Sequence, residues 1–141
     1  MLLAALVGVA LLAIAIAHLL WSLGIMWPIR DPQLLARTVV GFPGISRMPP
    51  RYMSFGVFLI TLAACIIAFS VADHASGGLP LTLLALLGGL VFLARGGLGF
   101  TSGWAARTPE QPFRDLDRKT YSPLCLGIGA GFLALVIMRL I

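Results

Sequence analysis

The chain has 141 residues, of which 60% are hydrophobic and 11% charged, with a formal net charge of +5. A soluble domain carries about 45–50% apolar and about 25% charged residues, so there is too little polar surface here to cover a water-facing globule. The same balance excludes a disordered chain and argues against a nucleic-acid partner, because the ten basic residues have no separate polar domain to sit on.

A membrane-crossing helix takes about 20 mostly apolar residues, and four stretches qualify. The first, 2–23, is interrupted by one strongly polar residue, His18. No Lys or Arg precedes Arg30, so the stretch lacks the basic leader of a cleaved signal peptide and is expected to be a retained helix. The connection after it has Trp27 and Tyr52 near its ends, residue types that favour the membrane–water boundary. Within it, Asp31 and Pro32 read as a helix start and Gly41 as a stop. They predict a short interfacial helix near 32–40, with Leu34, Leu35, Val39 and Val40 on its apolar side. Pro43, Pro49 and Pro50 predict irregular chain beyond it.

The second span, 53–72, carries no charge, and the third, 79–100, holds Arg95. A central arginine costs about 2.5–3.5 kcal/mol on the insertion scale, and each leucine returns roughly 0.3–0.6 kcal/mol. Nine leucines, and a place for Arg95 near the end of the span, keep insertion favourable. In the connection that follows, Thr108 before Pro109 and Glu110 reads as a helix start. The mixed-sign run from Phe113 to Lys119 reads as a solvated surface helix with weak local ion pairs. The fourth span, 122–141, contains a small-xxx-small pair, Gly127 and Gly131, expected to let another helix approach closely, within the bundle by preference or in another subunit. Gly88-Gly89 and Gly96-Gly97 would loosen the third span near Arg95.

The basic residues sort by side. The first connection holds Arg30, Arg37, Arg47 and Arg51, and the third holds Arg107, Arg114, Arg118 and Lys119. The second holds none. Basic connections stay in the cytoplasm, so both termini are expected outside. The basic excess is expected to attract anionic lipid headgroups on the cytoplasmic side. The expectation is an all-α integral membrane four-helix bundle, a single transmembrane domain over 1–141.

Several segments carry a family resemblance. The run FRDLDRKTYSPLCLGIGAGFLAL, from Phe113 to Leu135, resembles the C-terminal signature of a family of small bacterial membrane proteins catalogued only as a domain of unknown function. HLLWSLGIMWP, from His18 to Pro28, is similar to the N-terminal pattern of that family, and RMPP (47–50) and VFLARGGLGF (91–100) fall where related stretches occur. The resemblance implies a four-helix protein of the bacterial inner membrane and brings no activity, cofactor or catalytic residue.

An ionisable residue inside a span is a functional candidate by default. His18 and Arg95 each lie 16 residues from the external end of their span, roughly 24 Å deep at 1.5 Å per residue. Trp21 is one helical turn from His18. The fourth span begins at the same level, which brings Tyr121, Ser122 and Cys125 into range, with Asp117 just before it. His18, Trp21, Arg95, Asp117 and Tyr121 therefore form a candidate ligand-binding pocket on the cytoplasmic side. Arg95 would hold an anionic group, His18 would give or take a proton, and the rings would form walls. The structural alternative, Arg95 snorkelling or paired with Asp117 and His18 bonded between helices, is the favoured one.

No complete catalytic set is present: there is no Gly-x-Ser-x-Gly elbow, and all five acids fall in connections. His74, in the second connection, is roughly 24 Å from His18 along the membrane normal, too far to share a haem. Cys65 and Cys125 differ in depth by roughly 13 Å, which forbids a disulfide and suits small packing residues. No catalytic residue, metal site or cofactor is expected. Three classes remain, in order: a non-enzymatic packing or accessory partner of another membrane component or of a second copy; a binder or carrier of a small apolar or anionic molecule around His18 and Arg95; and an intramembrane enzyme acting on a lipid or quinone-like substrate.

Overall fold

Among the described residues four helices are long and apolar enough to cross a membrane, as the apolar runs predict. The computed structural model describes residues 1–73 and 77–141, so His74 lies outside the described residues. In chain order the helices are α1 (Leu2–Ser22), α2 (Pro32–Val39), α3 (Arg51–Ala72), α4 (Gly78–Leu98), α5 (Ser102–Arg107), α6 (Phe113–Leu116), a π-helical turn (Asp117–Tyr121) and α7 (Ser122–Leu140). Among the described residues the fold is entirely helical, and the protein is a multi-pass membrane protein.

The bundle is inside-out by the standard of a soluble protein. Leu6, Ile60, Leu87 and Ile137 point outward, while Ala4, Ala15, Ala68 and Ala85 are fully buried. Lipid is as apolar as leucine, so large side chains can face outward at little cost, and the interior mixes small residues that let backbones approach with Leu11, Ile128 and Phe132. α1 packs along α3 and α4 along α7; the two pairs meet through α3 with α4 and α1 with α7. α1 and α4 occupy opposite corners and scarcely touch.

Glycines set the α4–α7 spacing. A Cβ on Gly129 would stand 2.8 Å from both Gly89 O and Leu93 N, and a Cβ on Gly96 would stand 2.8 Å from Ser122 O. Gly89 and Gly96 are seven residues apart, two turns along one face of an unbroken α4. They serve close packing there rather than loosening the helix. Of the pair singled out in the sequence, Gly131 does pack within the bundle, against Val7 of α1, but Gly127 faces outward with open space beside it. The inward neighbour is Gly129: a small-xxx-small spacing identifies a face without saying which of several interleaved glycines points in.

The fourth span starts earlier than expected. One continuous helix runs Phe113–Leu140, and its first turns are not a solvated surface helix: Phe113 is 3% exposed and Asp117 fully buried. Pro123 explains why the sequence misleads. It lacks an N–H for the carbonyl four residues back and normally ends a helix. Here the preceding turn widens to π geometry, Ser122 N bonding Asp117 O, and the helix runs through. Thr108 is likewise not a helix start. Thr101 is the N-cap of α5, accepting from Trp104 N at 3.2 Å, and Thr108 closes that helix with its hydroxyl on Trp104 O.

The predicted interfacial helix is α2, with Asp31 Oδ1 accepting from Leu34 N at 2.8 Å and Pro32 at the first position. It is clasped to the third connection. Gly44 N donates to Glu110 Oε1 at 3.0 Å, Glu110 N donates to Gly41 O, and Tyr121 Oη donates to Thr38 O at 3.1 Å. Arg37 Nε lies 2.9 Å from Glu110 Oε2, an ion pair by proximity without an aligned hydrogen bond. The two basic connections thus form one cap at one end of the bundle. At the other end, Arg139 donates to Val71 O and Asp73 O, covering the last carbonyls of α3.

Candidate functional site

The five sequence-predicted residues separate into three places. Arg95 and Asp117 form a buried ion pair, Nη2 to Oδ1 at 2.6 Å. Asp117 is completely enclosed, and its two oxygens are supplied with three donors: Arg95 and Ser122 Oγ (3.2 Å) on Oδ1, and Trp104 Nε1 (2.8 Å) on Oδ2. The π turn is what aligns Ser122 with Asp117, because a wider turn brings residues five apart onto one face. Arg95 Cζ also sits 4.9 Å from the centre of the Trp104 ring, a cation–π contact. A Cβ on Gly99 would collide with Ser122 Oγ, so the chain leaving α4 closes over the network only with glycine there, and Arg114 donates to Gly99 O at 3.2 Å. The charges neutralise each other and the carboxylate is saturated. This arrangement ties α4, α5 and α7 together and engages Arg95 with Asp117 and Ser122.

Tyr121 is a strut. Its hydroxyl holds α2, and its ring packs 5.8 Å from that of Phe113, which lies against Gly41 at a positive φ of 74°. Any Cβ at Gly41 would strike the Phe113 ring.

His18 and Trp21 lie apart from the Arg95 network, on α1, the corner opposite α4. Their rings meet edge to face at 4.7 Å. His18 Nδ1 donates to Ile14 O at 2.9 Å, since a carbonyl can only accept, and Trp21 Nε1 donates to Trp27 O at 2.7 Å. The two rings wall a slot of about 140 Å³ whose other side is Val39, Val40, Met53, Ser54 and Val57. A wider cleft of about 320 Å³ adjoins it under the first connection, lined by Met26, Pro32, Leu35, Arg47 and Arg51 among others. The two hollows share Trp21, Met48 and Pro49. Both hollows are open clefts and not enclosed cavities; small-molecule sites begin at about 300 Å³.

Residues 11–132 match the model of a family described as protein of unknown function (DUF3995). The chain belongs to this family. The match runs from within α1 to within α7 and so takes in the cleft, the cap and the Arg95 network. No curated protein and no solved structure matched the chain.

Four residues beside these places were not among the sequence-predicted site residues: Trp104, Glu110, Arg47 and Arg51. Trp104 had a readable signal, since Thr101 three residues before it is an N-cap residue. Glu110 and the pair Arg47 and Arg51 had none, because only the folded path of the two connections brings them to their places.

Proposed function

We propose that the protein is a non-enzymatic binder or carrier that holds a small, largely apolar molecule in the cleft between α1, α3 and the first connection. The observation that carries this reading is the adjacency of the His18–Trp21 slot and the wider cleft, which share Trp21, Met48 and Pro49. Removal of Arg95 from the candidate pocket by its pairing with Asp117 argues against an enzyme using both His18 and Arg95, and it moves the binding reading to the His18 side alone. A second reading, an accessory partner of another membrane protein or of a second copy, draws support from Gly127, exposed on α7 with nothing within 4 Å.

Mass spectrometry of the native protein released from the membrane tests both. The expected result is a small amphiphile carried at about one per chain by the wild type and absent from Val57→Trp, which fills the slot. A protein carried in fixed proportion by both forms, with no small molecule, would favour the accessory reading instead.

We also propose that the membrane is the bacterial inner membrane, with the basic cap in the cytoplasm and both termini outside. Support comes from the charge pattern: eight of the ten basic residues fall in the two clasped connections. A phosphatase reporter fused after Ile141 should be active, and a reporter that fluoresces only in the cytoplasm should be dark there. The opposite pair of results would invert the topology.

A further inference from the structure

We propose that Arg47 and Arg51 form an anion clamp at the mouth of the cleft, which takes the phosphate head of a single-chain amphiphile. The proposal rests on the cleft reading above and adds the chemistry of its ligand.

The argument begins with where the acids are. The chain has five. Asp31 caps α2, Glu110 pairs with Arg37, Asp115 accepts from Gln111, and Asp117 is saturated by Arg95, Trp104 and Ser122. Asp73 ends α3 at the opposite end of the bundle. No acid lines the cleft, yet Arg47 and Arg51 do. Among the described residues neither Arg47 nor Arg51 has a carboxylate partner.

Two like charges bordering one hollow repel, and an anion seated between them would remove the repulsion. Arg51 is also positioned rather than free. Its guanidinium lies against Gly24, whose φ is +83°, and a Cβ there would stand 2.5 Å from Nη2. The turn after α1 thus opens a bed for this side chain, and only a residue without a Cβ provides it.

The charge of the ligand follows. A phosphate monoester carries about −1.5 to −2 near neutral pH and offers oxygens in the geometry that arginine forks match bidentately. It balances two arginines, whereas a carboxylate balances one. The size follows too. A cleft of about 320 Å³ beside a slot of about 140 Å³ suits a phosphate head and the start of one chain. The slot wall of Val39, Met53 and Val57 meets the start of such a chain, and the remainder leaves along the apolar helix surfaces into lipid.

The test is a binding titration of the full-length protein in neutral detergent with four probes of equal chain length: a lysophosphatidic acid, its phosphocholine diester, the free fatty acid and the monoacylglycerol. The lysophosphatidic acid should bind tightest. Arg47→Gln and Arg51→Gln should each weaken it roughly tenfold or more, as expected for a charge-assisted hydrogen-bond pair, and leave the monoacylglycerol unchanged. Arg47 is exposed in irregular chain, so its variant keeps the test valid even if Arg51→Gln perturbs the turn. Equal binding of all four probes, abolished by Val57→Trp but indifferent to both arginine variants, would overturn the clamp and leave the cleft reading standing. Binding of no probe, or binding untouched by Val57→Trp, would overturn the cleft reading itself. Inorganic phosphate that binds as tightly as the lysophosphatidic acid would assign the clamp to a soluble anion and overturn the amphiphile.

Discussion

Arg95→Leu should destabilise the protein by about 3 kcal/mol, the lower part of the 3–5 kcal/mol typical of a buried ion pair broken on one side. The cost arises at Asp117. Its side chain has no exposure, and without the guanidinium its charge keeps only Trp104 Nε1 and Ser122 Oγ as donors. The figure is set low because Arg95 is itself 32% exposed on its side chain, so part of its electrostatic gain is already screened by solvent. Asp117→Asn should cost less, because Arg95 lies near the end of its helix and can turn its charge to the interface. The double variant Arg95→Leu/Asp117→Leu should recover much of the loss, since replacing both members of a buried pair by apolar residues is often neutral. Equilibrium unfolding in mixed micelles measures all three, and the cycle isolates the pair term. A single Arg95→Leu change within about 0.5 kcal/mol of wild type would show that the pair does not hold α4 to α7.

Gly129→Val should separate α4 from α7. The new Cβ would meet two backbone atoms, Gly89 O and Leu93 N, each at 2.8 Å, and backbone in a packed helix cannot swing aside as a side chain can. Overpacking of this kind costs about 1–3 kcal/mol and more when helices must move apart. Gly127→Val, two residues away, should be neutral in the same unfolding measurement because nothing lies within 4 Å of its Cβ position. The contrast matters because Gly127, not Gly129, belongs to the pair that the sequence spacing marks. Equal loss from both substitutions would point to helix propensity or an oligomer contact instead of the α4–α7 seam.

The parts of the fold that depend on local pattern were legible. Long apolar runs predict four spans, and Asp31-Pro32 predicts α2, because capping and insertion are decided within a few residues of the chain. The parts that depend on three or more segments meeting were not. The run around Asp117 alternates charge in the manner of a solvated helix. Its burial becomes affordable only once donors from α4, α5 and α7 converge on one carboxylate. Depth along the membrane normal could be counted from the sequence, and it put His18 and Arg95 at one level. Depth is one coordinate of three, and the helices that carry these residues stand on opposite corners. The candidate site therefore divided. Arg95 pairs with Asp117 between α4 and α7, while Arg47 and Arg51 line the cleft beside the His18 slot, and no periodicity connects them to it.

The central claim is this division of labour between arginines: Arg95 holds the bundle, and the cleft on the other side of it holds the ligand. The most direct measurement is lysophosphatidic acid binding by the folded Arg95→Leu/Asp117→Leu double variant, compared with wild type and with Arg47→Gln in one titration series. The account predicts wild-type affinity for the double variant and a loss of roughly tenfold for Arg47→Gln. A folded double variant that no longer binds, beside an Arg47→Gln protein that binds normally, would contradict it and return the site to Arg95.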